Sequence, residues 1–276
     1  MQADRAPGPL SRYLELGVRV HLDDFPQTSL VVLLIYLPLA YLVLLLHPPL
    51  QSIIRSGSGD ALFLIPRMLI AQGLLRLVQL FIFILLILRL DAQRRGSGDT
   101  WDLAETLGRL WRVARVDLAY AFGLQALAIL VLWLSMGVAG LLLGNGPLVF
   151  PAALSVTAFA VIAPAIRFYF CSLAALLHGD GFRAAFRRSS AASAGAERQI
   201  ALLVLTYVLV WFFIWQIAHK IFGVGDLGQL FLHGGVMLTS ISYFFAGYGL
   251  YLDLTPPLPG EPQAESGALP LSPGGG

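Results

Sequence analysis

The segment QGLLRLVQLFIFILLILRL, residues Gln72 to Leu90, is too long and too apolar for an ordinary soluble core. A helix rises about 1.5 Å per residue, so roughly 20 apolar residues cross the hydrocarbon layer of a bilayer. The segment has the length and the composition that such a crossing needs. It therefore predicts a membrane-spanning helix.

The composition of the whole chain agrees with this interpretation. Of its 276 residues 57% are hydrophobic and only 12% are charged, and the mean hydropathy is +0.76. Soluble domains have about 25% charged residues. A net charge of +2 is too small to suggest a nucleic-acid surface. The single cysteine, Cys171, excludes an internal disulfide and a metal site built from several cysteines.

Length and apolarity predict an all-α fold, a polytopic transmembrane helical bundle in a single membrane domain over residues 1–254. Residues 255–276 are rich in Pro and Gly and are predicted to be disordered. The six predicted spans are about 30–47, 62–90, 118–143, 148–177, 200–222 and 228–252.

The arginines predict the orientation of the spans. Most of the basic residues fall in the N-terminal segment, in the loop after the second span and in the loop after the fourth. Cytoplasmic segments carry this excess in membrane proteins. We therefore expect both termini in the cytoplasm. Seventeen arginines against one lysine also suggest a bacterial protein, which predicts the bacterial inner membrane as its location.

Two of the loops predicted to be cytoplasmic have the pattern of amphipathic helices, over about 99–115 and 180–196. Apolar residues recur on one helical face and arginines on the other, which is typical of helices that lie in the membrane interface. In the first loop Asp99 or Thr100 is the predicted N-cap. The residues expected to contact lipid are Trp101, Arg109, Trp111, Arg112, Phe182, Arg183, Phe186, Arg187 and Arg188.

A third amphipathic helix is one of two interpretations of the segment before the first span. Apolar residues at positions 10, 14, 18 and 22 fit a helix, while the alternation over 14–22 fits a strand. The charge pattern and the weak repeat of the two later helices favour the helix. In that repeat an amphipathic helix leads to a span, a tight turn and a second span, with starts at Gly98 and Gly179.

Signatures of catalysis are missing from the sequence. HExxH, GxSxG and the Walker lysine motif do not occur. GVGDLG, Gly223 to Gly228, matches the dinucleotide fingerprint but falls in a short loop between two spans. His178 and Asp180 have a spacing that suits a metal, yet no second histidine supports them, so Asp180 is predicted to cap a helix. We expect no enzymatic activity, no cofactor and no metal.

Polar residues inside the spans are the remaining candidates for function, since such groups are costly in a bilayer. Gln72, Arg76 and Gln79 form one stripe at i, i+4 and i+7. Arg76 either lies near mid-bilayer and faces a polar path that binds an anion or lipid, or it snorkels to the interface. Arg167 either snorkels or pairs with Asp253.

Two stretches resemble the membrane domain that precedes some bacterial glycerophosphodiester phosphodiesterases, and related six-span proteins. One is AIRFYFCSLAALLHGDGFRAAFRRSS and the other is YGLYLDLT. In that family basic residues usually follow the second stretch, where this chain has Pro-Pro. The resemblance implies a polytopic helical fold and no reaction, because the phosphodiesterase domain is not part of this sequence.

These features predict a scaffold or accessory component of an envelope complex. The expected partners are membrane lipids and proteins of that complex, with no nucleic acid. The alternative is a transporter or lipid-handling channel that uses the Gln/Arg stripe.

Overall fold

The computed structural model describes residues 9–46, 58–96, 101–144, 146, 148–222 and 226–255, and within these ranges all regular structure is helical. Six of its helical segments are long and apolar enough to cross a membrane. This confirms the all-α, polytopic fold and the number of spans. The segments are Phe25–Val43, Leu69–Arg94, Leu103–Leu142, Val149–Leu177, Glu197–Ile221 and Leu230–Leu254.

The chain divides into two compact units. The first consists mainly of Gly8–Leu110 and Leu203–Leu252, and the second of Trp111–Leu202 with Asp253–Pro256. Each unit is built around its own set of buried side chains. The single membrane domain over 1–254 stays a prediction, and the predicted disordered tail lies outside the described residues from position 256 onward.

The first unit begins with α1, Leu10–Asp23. Of the two structures predicted for this segment, the helix is therefore the correct one. The first span follows at once as α2, Phe25–Val31, a π-helical turn over Val32–Tyr36, and α3, Leu37–Leu46. Pro26 sits in the first turn of α2, where its missing N–H costs no hydrogen bond. The span thus starts five residues before the predicted position 30.

The buried face of α1 differs from the predicted one. Tyr13, Gly17, Val20 and His21 are buried, whereas Val18 and Leu22, two members of the predicted stripe, are 48% and 64% exposed. The apolar stripe predicted from the sequence is therefore the outer one. In a membrane protein the lipid-facing surface is as apolar as the core, so periodicity alone does not tell the two faces apart.

The centre of the first unit is α4, Ser58–Arg94, which runs without a break through the second span. Every side chain from Ile82 to Ile87 is buried, so this part of the helix is covered on all sides. Phe83 meets Phe244 edge to face at 5.1 Å. The two elements that complete the unit are most of α9, Glu197–Phe222, and most of α10, Asp226–Leu254.

The amphipathic segment predicted over 99–115 and the span predicted from 118 are one helix, α5, Leu103–Leu143. The 41 residues contain no proline that would interrupt the helix between the two predicted segments. After α5, Gly144 adopts a left-handed conformation with φ of +68°, which turns the chain toward the next span.

The fourth span, predicted over about 148–177, is interrupted by a turn at 168–170. It consists of α6, Val149–Arg167, and α7, Cys171–Leu177. The second amphipathic helix, α8, covers Phe182–Ser193 and is separated from α9 by a turn in which Gly195 has φ of +85°. In GVGDLG, residues 226–228 belong to the first turn of α10. The fingerprint binds dinucleotides only when it follows a strand, whereas here it follows the helix α9, which ends at Phe222.

Candidate functional site

The break between α6 and α7 produces the most distinctive site of the second unit. Pro164 lies in the last turn of α6, which ends at Arg167. Ser189 of α8, whose side chain is fully buried, fills the gap. Its Oγ accepts a hydrogen bond from the Phe170 N–H at 3.1 Å and donates one to the Arg167 carbonyl at 3.3 Å. One hydroxyl thus bonds to a backbone group on each side of the break.

The next residue in the chain makes the second link. Arg167 Nε donates to Ser190 Oγ at 2.7 Å. This bond uses Nε alone of the three guanidinium nitrogens, and the Arg167 side chain is exposed. Arg167 therefore has a partner other than Asp253, and its pairing with Asp253 stays a prediction.

A groove of about 520 Å3 opens beside these bonds. Two arginines and a serine provide its polar groups, and small apolar and aromatic side chains provide its walls. The Phe168 and Phe186 rings lie 5.0 Å apart, and Phe182 stacks on Phe186 at 4.8 Å. The lining residues are Ala163, Pro164, Arg167, Phe168, Phe186, Arg187 and Ser190.

Arg188, adjacent to this groove in sequence, is used inside the protein. Its Nε donates to Asp180 Oδ2 at 2.6 Å, and Nη2 lies 3.4 Å from Oδ1. The prediction that Asp180 caps α8 was wrong. Gly181 occupies the N-cap position, and no side chain makes a capping hydrogen bond there. Asp180 instead ties the loop before α8 to the middle of that helix. Arg188 thus has a partner within the protein, and its contact with lipid stays a prediction.

Gly179 precedes this loop and has φ of +66°. A Cβ at this position would lie 3.0 Å from Arg112 Nη1. The glycine therefore allows both the turn and the close passage of an arginine from α5. A second polar link in this unit joins buried Asp117 of α5 to Ser172 of α7, whose Oγ donates to Oδ1 at 2.8 Å.

A buried ion pair at the end of α4 holds the first unit together. Arg89 is 3% exposed, and its Nη2 lies 3.3 Å from Asp24 Oδ1 at the corner between α1 and α2. Its guanidinium also lies over the Trp101 ring, 4.4 Å from the centroid. Trp101 is half-buried against this arginine, where its ring contributes a cation–π interaction, and its contact with lipid stays a prediction.

Asp91, two residues after Arg89 in α4, has three partners. Tyr248 of α10 donates to Oδ1 at 2.7 Å, Arg94 reaches the same oxygen at 3.3 Å, and Arg95 reaches Oδ2 at 2.7 Å. Asp91 and Tyr248 are both buried. A carboxylate in such a position is stable only when it is paired and hydrogen-bonded. The hydrogen bond between Tyr248 and Asp91 therefore links α10 to α4.

His21 is the one buried histidine among the residues that the structure describes. Its Nδ1 lies 2.7 Å from Ser242 Oγ. Burial lowers the pKa of His21 below its usual value of 6.5, because the protonated ring is poorly solvated there. Within the described residues no group of three His, Cys, Asp or Glu side chains is placed to hold a metal.

The predicted Gln/Arg stripe is only partly turned into the protein. Gln72 is exposed, while Arg76 and Gln79 are half-buried. Gln79 Nε2 donates to Tyr36 of the π-helical turn at 3.3 Å. A second cavity of about 490 Å3 runs between α3 and α4, and its walls are entirely apolar. None of the three stripe residues lines it, so the stripe and this cavity lie on different sides of α4.

The other predicted lipid contacts divide into exposed and paired residues. Trp111, Phe182, Arg183 and Arg187 are exposed, and Arg112 is exposed except for its approach to Gly179. Arg109 pairs with Glu105 one turn away on α5. The N-cap of α5 is Asp102, whose Oδ1 accepts the Glu105 N–H at 2.7 Å, while the predicted caps at positions 99 and 100 lie outside the described residues.

Sequence reasoning missed Asp24, Asp91, Asp117, Ser189 and Ser190 as site-forming residues. One signal was available: an acidic residue at the end of an apolar run needs a partner in the membrane. Asp91 and Asp117 both meet that criterion. The partners of these residues could not be predicted from the sequence, since Asp91 and Tyr248 are separated by 157 positions.

Comparison with family models, with curated proteins and with solved structures gives no match to this chain. The resemblance to the phosphodiesterase membrane domain therefore stays a prediction.

Proposed function

We propose that this protein is a non-enzymatic component of the bacterial inner membrane, a scaffold or accessory subunit of an envelope complex. Both termini would lie in the cytoplasm, and the partners would be membrane lipids and proteins of that complex. The observation that supports the proposal is the set of partners to which the buried charged side chains bond. They bond to one another and to neighbouring hydroxyls, and so join helices.

An enzyme needs an acid, a base or a nucleophile that is presented to a substrate. In the first unit Asp91 accepts from Tyr248, Arg94 and Arg95, and its carboxylate is occupied on both oxygens. In the second unit Asp180 is held by Arg188 through both oxygens. These contacts are those expected of a rigid framework. The large exposed apolar surfaces on the spans supply area for lipid and for other membrane helices.

The test is the size of the species that the full-length tagged chain forms at its natural level in membranes of its own host. After extraction in a mild detergent, a scaffold is expected to migrate as a species heavier than the purified 29.9 kDa chain in the same detergent. Other polypeptides should accompany it in fixed ratio. Equal migration of the two samples would contradict the proposal.

A second function, a transporter or lipid-handling channel, is favoured by the position of Arg76. This residue is half-buried within a helix whose mean hydropathy over the spanning segment is 2.3. An arginine at such a place is often part of a transport path. Under this alternative Arg76→Leu abolishes flux or lipid transfer in proteoliposomes while expression stays normal. Under the scaffold proposal Arg76→Leu leaves the heavy species intact.

A further inference from the structure

We propose that the groove at the break between α6 and α7 binds a phospholipid with an anionic phosphate headgroup, held by Arg167, Arg187 and Ser190. The inference rests on the proposed membrane-component function and names the lipid partner that this function leaves open.

The polar end of the groove is suited to a phosphate. Arg167 uses Nε for Ser190 and keeps its two terminal nitrogens available, and the Ser190 hydroxyl, having accepted that bond, retains its own proton to donate. Arg187 is exposed on the same groove. Guanidinium groups bind phosphate oxygens through paired hydrogen bonds. No carboxylate lines the groove, so the positive charge there is not cancelled locally.

Arg188 gives the contrast within the same helix. It is adjacent to Arg187 but is bonded to Asp180 through both carboxylate oxygens. The helix therefore presents one arginine to the groove and neutralises the next. On a diffuse basic surface, two neighbouring arginines would not differ in this way.

The remaining walls fit the apolar part of a lipid. Ala163, Pro164 and the Phe168 and Phe186 rings surround the arginines. On α6, Phe159 continues this apolar surface one turn beyond Ala163 and is 78% exposed. Phe159 lies two turns before Arg167, a distance of about 12 Å along the helix. A headgroup at Arg167 thus has a path for its acyl chain along the spanning helix.

The geometry of the break makes this site rigid before any ligand binds. Ser189 is fully buried and bonds to the backbone on both sides of the break, at Phe170 and Arg167. The two arginines are thereby carried by elements that are pinned to each other. Basic pockets of this type between membrane helices are known to hold lipid headgroups.

The experiment measures lipid binding to the purified full-length protein by native mass spectrometry, with phosphatidylglycerol and phosphatidylcholine as the two probes. The test variant is Arg167→Gln with Arg187→Gln. The control variant is Arg115→Gln with Arg198→Gln, which removes the same charge from two exposed arginines that do not line the groove. We expect phosphatidylglycerol to bind in preference, the test variant to weaken it about tenfold or more, and the control to weaken it less than about twofold.

Three results would overturn the proposal. Equal losses in the two double variants would mean diffuse attraction to the basic surface. Equal binding of the two lipids by the unaltered protein would mean that the headgroup charge is not recognised. Competition by millimolar inorganic phosphate, with no dependence on acyl chains, would mean a free phosphate site instead of a lipid site.

Two further measurements keep the outcome interpretable. Gel filtration and the melting temperature report whether the test variant is folded. If Arg167→Gln is not, Arg187→Gln alone is compared with Arg198→Gln alone, with the same expected ranking. The heavy species in host membranes is measured in parallel. Loss of lipid preference with an intact heavy species separates this inference from the scaffold proposal.

Discussion

Gly17 of α1 lies directly against the backbone of Ser242 in α10. A Cβ on Gly17 would come within 2.2 Å of the Ser242 carbonyl oxygen and 3.0 Å of the Ala246 side chain. Real side-chain carbons do not approach a carbonyl oxygen so closely, and neither helix backbone has room to withdraw without losing its packing. The N-terminal amphipathic helix is therefore docked on the last span through a glycine contact, with its apolar outer face left for lipid.

This contact predicts that Gly17→Ala destabilises the protein, by about 1–3 kcal/mol, the usual cost of overpacking a close contact. The matched control is Gly108→Ala on α5, where a Cβ would meet nothing within 4 Å. There the same change removes a flexible residue from a helix and is expected to be neutral or to stabilise by about 0.5–1 kcal/mol. Thermal unfolding in detergent micelles measures both. A smaller loss in Gly17→Ala than in the control would contradict the predicted packing.

The bond between Tyr248 and Asp91 predicts a second stability difference. Tyr248→Phe removes a hydrogen bond to a buried carboxylate, which is worth about 1.5–3 kcal/mol. Asp91→Asn is expected to cost more, because Arg94 and Arg95 then lose their charged partner. Tyr41→Phe serves as the control, since Tyr41 is 44% exposed. If both tyrosine variants melt at the same temperature, the buried network does not stabilise the fold as argued.

How far the sequence predicts this structure depends on the kind of interaction. The six spans can be predicted from the lengths of the apolar segments, because the thickness of the bilayer sets how many consecutive apolar residues a spanning helix needs. Which face of α1 is buried does not follow, since Leu22 and Tyr13 are both apolar and only the shape of α10 selects between them. Asp180 was predicted as a cap because local rules favour it there. Arg188, eight residues later, forms a stronger bond that those rules do not include.

The groove shows the same limit. Phe186, Arg187 and Arg167 were each predicted to contact lipid or to form a polar path, on two separate arguments. The structure brings them together because α6 ends at Arg167 and Ser189 of α8 bonds to the backbone on both sides of the break. To predict that break, one would have to know which group hydrogen-bonds to the backbone there. That group is Ser189 of α8, about twenty residues away in the chain.

Protonation of His21 predicts a pH dependence of stability. Since burial lowers the pKa of His21 in the folded state, the unfolded chain takes up a proton first. The unfolding free energy is therefore highest above pH 6.5 and falls as the pH decreases from 6.5 through the lower folded pKa. Unfolding at pH 7.5 and pH 5.5 measures the drop, which should be smaller in His21→Asn. An equal drop in both proteins would assign the effect to other groups.

The orientation of the chain is testable because Cys171, its only cysteine, is buried. In a Cys171→Ala background, Asn145→Cys is predicted to face the periplasm and Ser266→Cys the cytoplasm, as the arginine distribution requires. A membrane-impermeant maleimide should label position 145 in intact spheroplasts and position 266 only after permeabilisation. The reverse pattern would invert the proposed topology and with it the side of the membrane on which α8 lies.

The two buried serines of α8 provide the most direct test of the joint between α6, α7 and α8. Ser189 and Ser193 are one turn apart, and their exposed fractions are 0% and 1%. Ser189 Oγ bonds to the backbone at the helix break, whereas Ser193 Oγ has no hydrogen-bond partner among the described residues.

Ser189→Ala leaves the buried Phe170 N–H without its acceptor, which costs about 1–3 kcal/mol. Ser193→Ala removes a buried hydroxyl that gains nothing from its position, so it should be neutral or slightly stabilising. Thermal unfolding of the two variants gives the stability ranking, and native mass spectrometry shows whether lipid binding falls with Ser189→Ala alone. Since the two changes delete the same atom from the same helix, equal melting temperatures would show that the backbone bonds of Ser189 do not hold the joint.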